Sequence, residues 1–398
     1  MGAPVTSEAP TLRPRCPHYP DCVGCSFIGM AYSAQLEAKR TRVVDALAAH
    51  PRLAGITVPP LIGSARLFGY RNQVKLVARQ SGRGLLLGVY RPGTHVVVDI
   101  AECAVHQPPI NAVLAGVRAA VERARAPLYD ERSGAGWLRY VVVRSSAWKK
   151  TAQLILVVRD RSWPGEGDLV RQLRRLRGVS SVVLNLNPTT GNAVFGDSFV
   201  HDTPDAALLD RVGGLRLTSR AGVFLQANLA AARRVYEQVV RWADLQPEDV
   251  AVDLYAGVGA ISFYLAGQAR LVVGVEESAR AVLDAKQNIR LNGYHNVRFL
   301  AAPAAAGLAQ VAAQVERIDV VTLNPPRKGA DAGTRAAIDT VAPRRVVYVS
   351  CEPSTLARDL DWFAERGYAV GALQPFDLLP QTEHVETVAL LTRGDSAC

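Results

Sequence analysis

A chain of 398 residues with 49% hydrophobic composition can bury large cores and is too long for one ordinary domain, so two or three domains are expected. Lys and Arg exceed Asp and Glu by ten, a balance that suits a polyanionic partner without requiring one. No apolar run reaches the roughly 18 to 20 residues that span a bilayer, and the first residues lack the apolar core of a secretion signal. The chain is therefore read as cytoplasmic.

Residues 1–15 read as a disordered lead-in; Met1, Gly2 and Thr6 meet the loose myristoylation pattern, which short segments often meet by chance. Cys16, Cys22 and Cys25 crowd the next stretch, Cys103 stands alone, Cys351 lies deep in the second half and Cys398 ends the chain. Without an export signal, this uneven placement favours metal binding or catalysis over disulfides. Four thiolates spaced Cys-x5-Cys-x2-Cys plus one distant Cys suit either zinc or an iron-sulfur cluster.

Residues 31–50 carry helical periodicity with charges on one side and predict an amphipathic helix. From 67 to 100 the pattern changes to short runs of β-formers, 70–78, 84–91 and 95–100, which predict an antiparallel sheet. Further strands are expected at 138–143, 153–158 and 181–187, then a Pro-Thr-Thr-Gly-Asn turn at 188–192 and a strand at 193–195. The segment Tyr70 to Lys75 offers an aromatic and cations that could meet RNA, though an ordinary exposed strand face explains it equally well.

After about residue 217 strands alternate with helices. Seven β-like segments, 250–257, 269–276, 296–301, 318–324, 344–350, 368–376 and 386–392, argue for a largely parallel, doubly wound α/β sheet. Ligands of such a sheet bind outside the carboxyl ends of its strands. There the first strand runs through Gly257 and Gly259 into an apolar helix, which lets backbone approach a ligand closely. A tight turn with no ligand would look similar. Glu276 ends the next strand, where a carboxylate can accept both hydroxyls of an adenosine ribose, and Ser262 stands where a dinucleotide site needs its third glycine. The pair favours S-adenosylmethionine over NAD. Asn324 precedes two rigid prolines, and Gln226 precedes a helix, so both are candidates to face the cofactor. Cys351 sits between an apolar strand and a helix start, a junction that can lower a thiol pKa, although a buried inert cysteine is the commoner case.

Taken together, the four N-terminal cysteines, Phe224-Leu225-Gln226-Ala227-Asn228, Asp253 to Gly259, Asn324-Pro325-Pro326-Arg327, Ser350-Cys351-Glu352-Pro353 and Leu379 to Glu386 occur in the order that resembles the RNA 5-methyluridine methyltransferases. The likeness runs from Cys16 to about Thr392 and is greatest to the iron-sulfur branch that lacks a TRAM barrel and methylates bacterial 23S ribosomal RNA. That resemblance implies a seven-stranded Rossmann-like methyltransferase domain over 217–398. It further implies an iron-sulfur and RNA-binding α+β region over 16–216, with a [4Fe-4S] cluster on Cys16, Cys22, Cys25 and Cys103. Gln226, Tyr255, Gly257, Glu276 and Asn324 would hold S-adenosylmethionine, Cys351 would be the nucleophile and Glu386 the base. Glu383 competes for the last role, and Asn324 departs from the commoner Asp. A monomer acting on RNA is expected, with transfer RNA as the alternative substrate. A non-catalytic iron-sulfur RNA-binding protein and a small-molecule methyltransferase are the readings from other classes.

Overall fold

The computed structural model describes residues 16–22, 24–82, 84–191 and 193–393. The expected lead-in at 1–15 and Cys398 lie outside them. Among the described residues no helix is long and apolar enough to cross a membrane.

After the cysteine-bearing segment, α1 (Tyr32–Ala48) forms where periodicity predicts a helix, but its buried side is mixed rather than apolar, Gln35 and Lys39 lying with Val43 and Leu47. A seven-stranded sheet follows: β1 (Gln73–Ser81), β2 (Gly84–Tyr90), β3 (Val97–Asp99), β4 (Leu138–Ser146), β5 (Thr151–Val158), β6 (Val179–Leu186) and β7 (Ser198–Val200). Its order is β3-β2-β1-β4-β5-β6-β7, antiparallel except where β6 runs parallel to β5. Two helices, α2 (Pro108–Arg123) and α3 (Glu166–Arg174), cover one face of this sheet with Ile110, Val117, Leu169 and Leu173. The other face carries a smaller core around Val77, Tyr140, Val142 and Ile155, beneath Phe195 and Phe199.

Residues 193–195, expected as a strand, form none; pairing begins at Ser198. Asn187 Nδ2 donates to the carbonyls of Ala193 (2.7 Å) and Val194 (3.1 Å), and Asn185 Nδ2 donates to that of Gly196 (2.8 Å). Side-chain amides thus take the carbonyls that a ladder would use.

A β-hairpin, β8 (Leu208–Val212) and β9 (Leu215–Ser219), leads into the second half. There α4 (Leu229–Ala243) precedes the alternation β10 (Val250–Leu254), α5 (Ala260–Leu265), β11 (Leu271–Glu276), α6 (Ala279–Asn292), β12 (Val297–Ala301), α7 (Ala304–Ala312), β13 (Val320–Leu323), α8 (Ala332–Val341), β14 (Arg345–Ser350) and α9 (Pro353–Ala364). The chain closes with β15 (Tyr368–Phe376) and β16 (Glu386–Arg393). The sheet order is β12-β11-β10-β13-β14-β16-β15; the first five strands are parallel, and β16 is antiparallel to both of its neighbours. All five residues of β10 are buried, as an interior parallel strand covered on both faces requires.

Period-two alternation sorts side chains to the two faces of this sheet. Ala251, Val272, Val320 and Val347 meet α4, α5 and α6; Val252, Val273, Val321 and Val346 meet α7, α8 and α9. The second core also contains Val43 and Leu47 of α1, with Leu53 and Val58 beyond it. Residues 43–58, grouped by sequence with the N-terminal half, are therefore packed in the core of the C-terminal sheet. Ile62 bridges to Phe376 beside them.

Polar groups join the first sheet to the segment that precedes α4. The Arg144 guanidinium donates to the carbonyls of Ser219 (3.2 Å) and Arg220 (2.6 Å), while Asn72 donates from its backbone N–H to Ala227 O and from its side chain to Gln226 O, both at 2.9 Å. The segment from Ser219 to Asn228 is thereby held from the first sheet near both ends.

Candidate active site

A cavity of about 680 Å³ opens at the carboxyl ends of β10, β11, β13 and β14, and Gln226, Tyr255, Gly257, Glu276, Asn324, Cys351 and Glu386 all line it. These seven positions come from separate stretches of chain, so their meeting is a tertiary result.

One wall is the turn after β10. Tyr255 takes φ +58°, a left-handed conformation costly for a bulky side chain, and its hydroxyl lies 3.3 Å from Thr334 Oγ1 on α8. Gly259 has φ +91°, and a Cβ there would stand 2.4 Å from the Phe299 ring, so only glycine fits. Glu276 closes the turn from β11: its carboxylate accepts the Gly257 N–H at 2.9 Å and the Ser278 N–H at 2.8 Å. Asp253 also lines the cavity, 1% exposed, accepting from Ser262 Oγ (2.6 Å) and Thr322 Oγ1 (2.8 Å). Burial outweighs these two hydrogen bonds and lifts its carboxyl to about 6.

Another wall carries Cys351 and Glu386. Cys351 follows β14, half-buried; burial first, and the Glu386 carboxylate second, push its thiol up to about 11, against the Arg327 guanidinium, which favours the thiolate. The expected lowering at a helix start is thus overturned, because desolvation and a neighbouring carboxylate exceed what a helix end supplies. Glu386, the first residue of β16, is 7% exposed, and its Oε1 is buried with no hydrogen-bond partner among the described residues. Burial raises its carboxyl to about 7. The competing Glu383 is exposed and does not line the cavity. Arg327 lies 3.2 Å from His384 Nε2 and completes this wall. Asp253 and Arg327 both stand inside recognised motifs, but nothing in the spacing distinguishes their side chains from the neighbours that serve structure alone. Phe224 lies on the rim, 70% exposed.

The stretch that leads to Glu386 is gripped from the N-terminal side. Lys39, fully buried on α1, donates to Asp377 Oδ1 (2.6 Å) and Leu379 O (3.1 Å); Tyr32 donates to Asp377 Oδ2 (2.9 Å). Gln35 and Gln381 exchange two hydrogen bonds, at 3.0 and 2.9 Å. Phe27 N–H donates to Gln381 O (2.9 Å), Glu383 N–H to Ser26 Oγ (3.1 Å), and Tyr70 Oη to Pro380 O (2.7 Å). Tyr70 is therefore buried rather than offered on an exposed strand.

The four N-terminal cysteines are free and half-buried. The Cys25 thiol is pushed up to about 12, first by burial and then by Cys103, with Cys22 and Cys16 acting in the same direction and Arg71 opposing. Among the described residues no group of three or more His, Cys, Asp or Glu is arranged as a metal site, so the expected cluster is not part of the observed geometry.

A glycine turn after the first strand of a mixed seven-stranded α/β sheet, a carboxylate after the second and a cavity beside them define a methyltransferase fold. Residues 207–394 match the family model described as tRNA (Uracil-5-)-methyltransferase. Two relatives described as uncharacterized RNA methyltransferases extend the likeness. One, from Geobacter sulfurreducens, is 40% identical over 388 residues, covering 97% of this chain and 78% of the relative. The other, from Halalkalibacterium halodurans, is 35% identical over 390 residues, covering 98% and 84%. Among solved structures, the Pyrococcus abyssi tRNA (uracil-54, C5)-methyltransferase in complex with S-adenosyl-L-homocysteine shares the fold. Its TM-score is 0.74 at 24% identity, over 94% of this chain and 86% of that one. The chain belongs to the family of RNA methyltransferases that these two relatives represent.

Proposed function

We propose that this enzyme forms 5-methyluridine in RNA, with 23S ribosomal RNA as substrate, through covalent attack by Cys351 and proton removal by Glu386. What carries the reading is that a thiol and a buried, unpartnered carboxylate share one cavity with a glycine turn and a carboxylate suited to an adenosine ribose. The ribosomal substrate rests on the Asn324-Pro325-Pro326-Arg327 form of its motif; transfer RNA is the alternative.

Bound S-adenosylmethionine supplies an electrophilic methyl group. Glu276, Gly257, Tyr255, Gln226 and Asn324 would hold it. Carbon 5 of uracil is a weak nucleophile until the Cys351 thiolate adds to carbon 6, moving the ring electrons into an enolate that carbon 5 can use. Arg327 is the cation beside Cys351 that favours the thiolate. After methylation Glu386 takes the proton from carbon 5, and elimination expels Cys351 and restores the carbon 5 to carbon 6 double bond. Carbon 6 is shielded in stacked RNA, so the target uridine must be unpaired or flipped into the cavity. Nucleoside analysis of ribosomal and transfer RNA, from cells with and without the gene, tests the substrate. Loss of 5-methyluridine from transfer RNA alone would replace the ribosomal reading by its alternative.

Glu276→Ala is expected to weaken S-adenosylmethionine binding by about 1.5 to 3 kcal/mol, since charge-assisted hydrogen bonds disappear and the Gly257 and Ser278 amides lose their acceptor. Calorimetry measures it; unchanged affinity would remove Glu276 from the site.

Cys16, Cys22, Cys25 and Cys103 match a [4Fe-4S] cluster in ligand type and number, and a cluster held by them would act as a structural or RNA-positioning element. Protein purified without oxygen is expected to contain about four irons per chain. Cys22→Ser should lose the iron and lower the melting temperature, because metal binding contributes to folding. Stoichiometric zinc in the wild type would reject the cluster.

A further inference from the structure

Between β4 and β5 the chain turns through Ala147, Trp148, Lys149 and Lys150, four consecutive exposed residues at the end of a strand that is buried along its whole length. Trp148 is 40% exposed, and the Lys149 ammonium stands 4.4 Å from its ring centroid. An aromatic ring beside two cations at a strand tip is the pairing that single-stranded nucleic acid uses, the ring for a base face and the cations for phosphate.

The tip is held firmly. Asp210 of β8, 2% exposed, accepts at Oδ1 from Ser146 Oγ (3.1 Å), from the Trp148 N–H (3.4 Å) and from the Arg211 N–H (2.8 Å). Ser146 Oγ in turn accepts the Lys149 N–H at 3.0 Å, and Lys150 takes φ +55° to complete the turn. A buried carboxylate thus fixes the backbone of a turn whose side chains point into solvent. Such presentation lowers the ordering entropy that a partner would otherwise have to overcome.

The tip also has a defined relation to the cavity. Two residues before Ser146, buried Arg144 donates to the carbonyls of Ser219 and Arg220 and to Ser219 Oγ (2.5 Å), at the root of the segment whose residues 222–228 line the cavity. The turn and the cavity wall are therefore parts of one hydrogen-bonded unit.

We propose that the Trp148-Lys149-Lys150 turn docks the substrate RNA outside the cavity, Trp148 stacking on an unpaired base that flanks the target uridine and the two lysines binding adjoining phosphates. This rests on the RNA-methylation reading above and adds to it a surface that chooses single-stranded flanks. The chain's excess of ten positive charges supplies the matching long-range attraction.

The test uses a fluorescein-labelled, single-stranded oligoribonucleotide with one central uridine, titrated with full-length protein at several salt concentrations. Trp148→Ala is expected to raise Kd about tenfold, within the range that base stacking contributes, with Trp148→Phe recovering most of it. Lys149→Gln with Lys150→Gln should lower the slope of log Kd against log salt by about 0.7 for each phosphate that is no longer neutralised. All variants should keep the wild-type melting temperature and S-adenosylmethionine affinity, since the changed side chains are exposed. If folded Trp148→Ala and the double lysine variant both bind with wild-type Kd and salt slope, the turn does not dock RNA. If the wild type itself neither binds nor methylates RNA, the underlying activity is at fault instead.

Discussion

Glu386→Gln is expected to stop the reaction after methyl transfer and leave methylated RNA bonded to Cys351. The amide keeps the shape of the side chain but cannot take the carbon 5 proton, so elimination stalls while the earlier addition can proceed. On a denaturing gel the product is a slow protein-RNA band that requires both S-adenosylmethionine and a uridine-containing RNA. Glu383→Gln should turn over normally, because Glu383 is exposed outside the cavity. A band from Glu383→Gln and none from Glu386→Gln would transfer the role of base. The same substitution has a stability consequence of definite sign. Burial lifts Glu386 from 4.5 to about 7, so the folded state prefers the protonated carboxyl. That contribution is complete below pH 4.5 and is lost as pH rises through 7. Glu386→Gln should therefore be more heat-stable than wild type at about pH 8, by up to about 3 kcal/mol, and equal to it near about pH 4.

Cys351→Ala should lower methylation by more than about a thousandfold, since the enolate cannot form without the thiolate, while RNA and S-adenosylmethionine still bind. No covalent band should appear under any condition. Residual methylation at a tenth of the wild-type rate would exclude the covalent route. In the wild type, with proton removal limiting, turnover should rise with pH through about 7 as Glu386 ionises, and that inflection should vanish in Glu386→Gln. The thiol, pushed up to about 11, supplies no inflection near neutrality in the free enzyme.

The residues that can be read from the sequence are those whose chemistry is written locally. Gly257, Gly259 and Glu276 announce a strand-turn-helix site through spacing alone, and Cys351 stands at a strand end where nucleophiles are commonly displayed. The alternation after residue 250 likewise reveals the seven strands of the second sheet, because its interior strands must be apolar enough to be buried on two faces. The thiol's upward shift is not readable, since it depends on Glu386 arriving from 35 positions later, a separation visible as 386 minus 351, and on the depth of the cavity. Asp253 resembles any other strand residue until Ser262 and Thr322 are seen to hold it. The periodicity of α1 announces a helix, but neither that its buried side carries Gln35 and Lys39 beside Val43 and Leu47 nor which surface that side will cover.

That surface lies at the far end of the chain. Lys39 finds Asp377 across 338 positions, and Val43 and Leu47 share a core with Leu391. During synthesis α1 therefore leaves the ribosome with its partner still untranslated, while the neighbours within the sheet of β1 to β7 are all complete by residue 200. Closure of the second core over α1 must wait until Asp377 and Leu391 have been translated, and contacts so distant in sequence form slowly because of the loop entropy they require. A ribosome stalled before Asp377 would hold a chain whose Lys39 has no counter-ion to be buried with, a state several kcal/mol short of the native packing. Such a chain keeps α1 exposed, available to chaperones and proteases, and cannot assemble the stretch that carries Glu386. The cavity wall that carries Glu386 is thus completed only once Asp377 has met Lys39.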